Sequence, residues 1–175
     1  MMSRWKLAAL VVAALGWTAA HAGLLNDGEP KAELQEGAVQ LPAPPSMDKL
    51  LTYGVGPTST MIFAVDPRSI SVSDYVIVRF TSVIRSRSGA TNISHEGIRC
   101  DTAEKKLYAT GRADGSWTAS TNPVWRRIGD TVANRYHATL IEDYFCDGGT
   151  VAGTAETIVQ RLRRQTPLLH PGKLR

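Results

Sequence analysis

Through the middle of the chain apolar and polar residues alternate with period two, and toward its end the period lengthens to that of a helix. Met61 to Val65 is a short apolar run that the pair Asp66-Pro67 should stop, with Ile70 and Val72 resuming after a turn. Tyr75 to Arg85 is the longest predicted strand. Its even positions Val76, Val78, Phe80 and Ile84 are apolar around Ser82, and its odd positions mix Ile77 and Val83 with Arg79, Thr81 and Arg85, so the even face should meet the core. Ser88-Gly89 turns the chain into a returning antiparallel strand, Thr91 to Cys100, and Lys105 to Gly111 makes a further strand. Asp114-Gly115, two residues that tolerate the positive φ of a tight hairpin, leads into a last strand at Trp117 to Ser120. Before these strands, Ser46 to Tyr53 suggests a short turn of helix around Leu50 and Leu51, broken by Gly54, Gly56 and Pro57.

Two helices close the pattern. Asp130 or Asn134 can cap the first, on which Tyr136, Leu140, Ile141 and Tyr144 share a face, with Phe145 and Cys146 ending it before Gly148-Gly149. Thr154 can cap the second, where Ala155, Ile158, Val159 and Leu162 form a narrow apolar stripe, and Pro167 and Pro171 forbid its continuation. Strands first and helices last give an α+β fold: an antiparallel meander sheet of about five strands with two C-terminal helices packed on one face.

The N-terminus changes the picture of where this domain works. Arg4 and Lys6 precede an almost wholly apolar run from Leu7 to Ala20 that ends in Ala20-His21-Ala22, the layout of a secretory signal peptide. About 14 apolar residues fall short of the ~20 that cross a bilayer as a helix, so cleavage after Ala22 and a periplasmic product are expected. The expected organisation is a signal peptide at 1–22, an acidic Pro-rich linker at 23–48, one α+β domain at 49–165 and a basic tail at 166–175. No second stretch of membrane-spanning length follows the leader.

Composition adds exclusions. With 43% apolar and 21% charged residues the chain is neither disordered nor collagen-like. Its net charge of +4 falls to +2 once Arg4 and Lys6 leave with the leader. The acids stop at Glu156, and Arg161, Arg163, Arg164, Lys173 and Arg175 form an acid-free end. Solvation is the ordinary fate of such a run, and weak contact with an anionic membrane surface is the alternative. No basic-aromatic constellation supports nucleic-acid binding.

Cys100 and Cys146 are an even pair in an exported chain, most simply one disulfide, worth roughly 4 kcal/mol for a loop of this length. Neither C-x-x-C nor a nearby His pair suggests metal or redox cysteines. His95-Glu96 begins like H-E-x-x-H, but Arg99 stands where the second histidine belongs and a cation there repels a metal. Ser46-x-x-Lys49 matches an acyl-transfer motif without its companion Lys-Thr-Gly, and Gly54-x-Gly56 lacks the third glycine of a dinucleotide loop. No cofactor, metal site or catalytic residue is therefore assigned.

The pieces Ser94-His95-Glu96-Gly97-Ile98-Arg99-Cys100, Tyr108-Ala109-x-Gly111-Arg112-x-Asp114-Gly115-x-Trp117, Trp125, Asn134 with His137, and Tyr144-Phe145-Cys146 resemble the cryptic neisserial protein-like family of exported proteobacterial proteins. The resemblance covers roughly residues 41 to 165. It implies a Gram-negative envelope location and a Cys100–Cys146 pair, and it carries no catalytic residues.

If Cys100 reaches a helix on the core face, Ile98 and Glu96 face inward with it, while His95 and Arg99 face outward. A bulge at Gly97 would reverse this parity. An inward Glu96 should pair with a cation, Arg112 or Arg135, or else hold a raised pKa suited to proton transfer. On the other face Arg79, Arg85, Arg99 and His95 would form a cationic stripe, either plain solvated surface or a site for an anionic ligand. His137 reads as a hydrogen-bonded boundary residue, and Trp117 and Trp125 as core or lid aromatics. Two functions follow. The leading one is a non-enzymatic binding or envelope-associated protein, with an envelope protein or an anionic ligand as partner. The second is a small hydrolase or lyase using Glu96 with His95 or His137. Glu96 ion-paired away from any cleft separates the first from the second, which needs a pocket where Glu96 meets an imidazole.

Overall fold

A computed structural model describes residues 36–74 and 76–169. The expected leader, most of the expected linker and the end of the basic tail lie outside the described residues. The unit that begins at Ala38 contains every strand and helix described here.

The strands are β1 (Leu51–Tyr53), β2 (Ile62–Ser73), β3 (Ile77–Arg85), β4 (Thr91–Arg99), β5 (Glu104–Gly111), β6 (Trp117–Ala119) and β7 (Arg126–Arg127). They form one antiparallel meander in the order β1-β2-β3-β4-β5-β6, with β7 pairing the other end of β5. Residues 120–125 loop out between β6 and β7, dividing the edge strand in two. Gly89 (φ 91°) and Gly115 (φ 82°) occupy the left-handed positions of the turns at 86–90 and 112–116, where a side chain would be strained.

After the sheet come α1 (Arg135–Leu140), a π-helical turn over Ile141–Phe145, a small hairpin of β8 (Cys146–Asp147) and β9 (Thr150–Val151), and α2 (Ala155–Arg164). Thr154 caps α2, its hydroxyl accepting from the Thr157 N–H at 3.2 Å. The stripe expected on α2 packs as read: Ile158 and Leu162 are buried, with Ala155 and Val159 against the same core. The Arg161 guanidinium donates to the carbonyls of Tyr144 (2.7 Å) and Ala152 (3.1 Å), tying α2 to the end of the π turn.

The fold is thus α+β, with its main core between the even face of β3 and the helices. Val78, Phe80, Ile98, Leu140, Phe145, Ile158 and Leu162 meet there, and Phe80 stands edge-on to Phe145 at 5.1 Å. Cys100 and Cys146 form the disulfide, joining the end of β4 to the end of the π turn.

Four local readings differ. Leu51 enters β1 as an edge strand rather than a helical turn, although a tight turn at Ser46–Lys49 precedes it. Asp66-Pro67 does not stop β2: the register slips between Asp66 and Ser71, and the strand absorbs the proline as a bulge before running on to Ser73. The first C-terminal helix is shorter than its apolar spacing suggests, because it opens into the π turn after Leu140. Near the end of the stretch expected as linker, Pro42 and Pro44 are bonded to the domain: the Trp117 indole donates to the Pro42 carbonyl at 2.8 Å, and Arg68 reaches the Pro44 carbonyl at 3.3 Å.

Candidate functional site

The face of β4 is set by its register. Ile98 pairs with Val78, Glu96 with Phe80 and Ser94 with Ser82, so these β4 residues lie on the helix face, as expected from Cys100. The irregularity falls on the partner strand: His95 pairs Ala109 and Glu96 pairs Leu107, leaving Tyr108 as the extra residue in β5 and the parity of β4 intact.

Glu96 is buried, and neither Arg112 nor Arg135 reaches it. Arg112 instead donates to the Thr118 hydroxyl at 2.6 Å. The Glu96 carboxylate accepts from His137 Nε2 at 2.5 Å, from the Tyr136 hydroxyl at 3.3 Å, and from the Ser94 hydroxyl. Burial pushes the Glu96 carboxyl upward, but His137, Ser94 and the charge of Lys105 together outweigh it and hold it below the usual carboxylate range. It is therefore a standing carboxylate rather than a poised acid. Burial and the neighbouring carboxylate both push the Tyr136 hydroxyl strongly upward, so Tyr136 remains a donor.

A carboxylate only accepts, so His137 Nε2 carries a proton, and Nδ1 faces the Lys105 ammonium at 3.4 Å with its lone pair. Lys105 also donates to Asn134 Oδ1 at 2.7 Å. Asn134 occupies the N-cap position of α1, yet its side chain serves this lysine, and its amide donates to the Gly129 carbonyl, rather than capping the helix. Burial lowers the Lys105 ammonium from its ordinary pKa, opposed by Glu96. The result is a hydrogen-bonded chain running Ser94, Glu96, His137, Lys105, Asn134.

Its members Ser94, Glu96, His137 and Lys105 line a cleft of about 440 Å³. Ser94, Glu96, Lys105 and Leu107 contribute from the sheet, Tyr136 and His137 from α1, and Asn122, Val124 and Arg126 from the divided edge. Asn92, Thr110 and Ser120 add further polar lining. Lys106 lines the cleft too, but its ammonium lies over the rings of Tyr108 (5.5 Å) and Trp125 (5.4 Å). Glu96 and His137 are ligand types a metal accepts, yet among the described residues no third His, Cys, Asp or Glu joins them.

The stripe expected on the opposite face is not an open cationic surface. His95 is 2% exposed, beside Tyr108 and Trp117, with Nδ1 3.3 Å from the Thr81 hydroxyl. Burial first, and the charge of Arg79 second, lower the His95 pKa to about 4, so the imidazole is neutral at pH 7. Arg79 donates to the Ser73 hydroxyl at 2.8 Å and lies 5.8 Å from the Tyr108 ring centre. Arg99 is neutralised by Asp101 at 2.9 Å and Glu104 at 3.8 Å. The Arg85 Nε is buried without a hydrogen-bond partner among the described residues. Trp117, held by the Pro42 carbonyl, covers His95, and carboxylates at the strand end neutralise Arg99: period two assigns a face but not what lies over it.

The structure therefore joins Glu96 to His137 and separates both from His95, Arg79, Arg85 and Arg99. Ser94, Lys105, Tyr136 and Asn134 were not singled out for this site. Ser94 was recoverable, because it stands two residues before Glu96 on one strand and so shares its face.

A small meander sheet with a polar cleft at its helix-covered edge defines the class. The chain belongs to the CNP1-like family, whose model matches residues 29–163. No curated protein and no solved structure matches it.

Proposed function

We propose that the cleft beside α1 is the working site and that it performs acid–base chemistry on a small polar molecule, as in the hydrolase or lyase reading. One observation carries this: Glu96 and the His137 imidazole meet at the wall of a 440 Å³ cleft, the arrangement that separates this reading from a pocketless binding module. Glu96 orients the ring and stabilises its protonated form, while Nδ1 is the atom that takes or returns a proton through Lys105. Lys105 and Arg126 against a single, already satisfied carboxylate favour a ligand carrying negative charge, and the hydroxyl and amide lining favours one rich in hydrogen-bonding groups. Binding without turnover is the second reading, favoured by the fixed ionisation of Glu96, which makes that carboxyl a poor general acid.

The test is a panel of small carboxylates, phosphate esters and sugar acids, followed by the NMR shifts of the His137 ring and by product formation. A ligand that moves the ring and is turned over, with His137→Asn lowering the rate about 100-fold or more, is expected. Shifts without turnover select the binding reading, and a panel that moves nothing in the cleft removes both.

The location belongs to the same reading. We infer that the leader delivers a chain beginning at Gly23 to the periplasm; the Cys100–Cys146 disulfide supports this because such bonds persist in oxidising compartments. Among the described residues no helix is long and apolar enough to cross a membrane. The basic tail is suited to weak contact with an anionic membrane surface.

A further inference from the structure

Lys105 and Lys106 are neighbours on one strand with opposite surroundings. Register places Lys105 opposite Ile98, on the helix face, and Lys106 opposite Gly97, on the other. The Lys106 ammonium rests over two aromatic rings, which favour its charge. The Lys105 ammonium is half-buried, has a neutral amide oxygen at 2.7 Å, and has a lone-pair nitrogen at 3.4 Å that is backed by a carboxylate. Its own nearest acceptors carry no charge. A proton leaving Nζ has a built receiver in Nδ1, and the imidazolium so formed is stabilised by Glu96.

We propose that Lys105 is an imine-forming lysine whose partner is a small aldehyde or ketone carrying a carboxylate, held in the cleft with its anionic end toward Arg126. The proposal rests on the cleft being the working site and names its substrate class. His137 Nδ1 takes one proton from the Lys105 ammonium, and rotation about Cε–Nζ turns the free electron pair into the cleft. Nζ attacks the carbonyl carbon, and the π pair of the C=O bond moves to oxygen, giving a carbinolamine after proton transfer from nitrogen to oxygen. The imidazolium then returns its proton to the carbinolamine hydroxyl, the C–O bond breaks and water leaves. Ammonium plus carbonyl becomes protonated imine plus water, with nothing oxidised or reduced. His137 is the positioning and proton-holding residue, and burial of Lys105, which lowers its hold on the proton, acts in the same direction.

Glyoxylate with cyanoborohydride as trapping reductant, followed by peptide mapping, tests this on the full mature chain. At pH 7 Lys105 should be alkylated at least about tenfold faster than Lys106, because only Lys105 has a proton acceptor, His137 Nδ1, within reach of its ammonium. His137→Asn should lower that ratio severalfold, and Lys105→Arg should remove the label while leaving Lys106 labelling unchanged. The groups at Nζ are Asn134 and His137 from the α1 end, with the charge of Glu96 from β4 behind them, and Tyr136 and Arg126 line the same cleft. With His137 present the Lys105 rate should fall less steeply than that of Lys106 between pH 8 and 6.5. Equal labelling of the two lysines in the wild-type chain overturns the proposal, whatever the folding of the variants. If labelling is equal but the cleft still turns over a ligand that His137→Asn abolishes, the imine fails and the acid–base reading stands. If neither occurs, both fail.

Discussion

Replacing His95 by glutamine isolates the energetic consequence of covering the second face of the sheet. The wild-type imidazole holds a pKa of about 4 against 6.5 for a free histidine, because burial among Thr81, Tyr108 and Trp117 and the nearby Arg79 charge both disfavour its protonated form. The unfolded chain therefore takes up the proton first as pH falls. The stability linked to this group is complete above about pH 6.5 and is lost progressively as pH drops toward 4. At pH 4.5 the unfolded histidine is almost fully protonated while the folded one is only partly so, which costs the native state roughly 2.5 kcal/mol relative to pH 7.5. Urea unfolding at both pH values, followed by tryptophan fluorescence, measures it. His95→Gln lacks the titrating group but shares every other carboxylate and imidazole, so the wild-type chain should lose about 2 to 3 kcal/mol more than the variant over this interval. Equal losses in the two proteins would refute both the burial of a neutral imidazole and the covered second face.

Two further measurements probe the frame of the fold. Intact mass of the protein recovered from periplasmic extract, with alkylation before and after reduction, should give a chain starting at Gly23 with no free thiol, and reduction should lower stability by about 4 kcal/mol for a 46-residue separation. Free thiols or an uncut leader would contradict it. Gly97→Ala should cost about 2 kcal/mol or more in urea unfolding, since a Cβ there would lie 2.6 Å from the Tyr108 hydroxyl oxygen and 3.0 Å from the Trp125 ring; a neutral effect would mean the two rings are not seated on this strand.

What the amino-acid pattern revealed depended on how local each decision was. The alternation in β3, the Asp114-Gly115 turn and the Thr154 cap are settled within a few residues, and the strands and α2 follow them. The small hairpin around Gly148-Gly149 and the π turn were not visible, because each depends on where the chain must go to bring Cys146 to Cys100. The partner of Glu96 was a question of helix rotation. Arg135 and His137 sit two residues apart on α1, about 200° around its axis, so only one of them can face the sheet. Charge pointed to Arg135, whereas packing of Leu140 and Tyr144 into the core turns His137 inward. His95 was misplaced for a different reason. Thr81 and His95 lie on the face read as outward, yet with Ser69 they form hydrogen bonds to one another and to backbone that make them acceptable out of water.

The extra residue at Tyr108 sets a rule for how this protein can vary. His95 and Glu96 are consecutive, yet one belongs to an aromatic compartment and the other to a polar cleft, and β5 stays in step with both by carrying one surplus position. Deleting that position, or inserting a residue elsewhere between Ser94 and Thr110 without a compensating loop, would exchange the occupants of the two compartments along part of the sheet. Relatives that keep both compartments must accordingly confine their changes in length to turns such as 86–90 and 112–116, so a gap in an aligned relative would itself report which compartment has been given up.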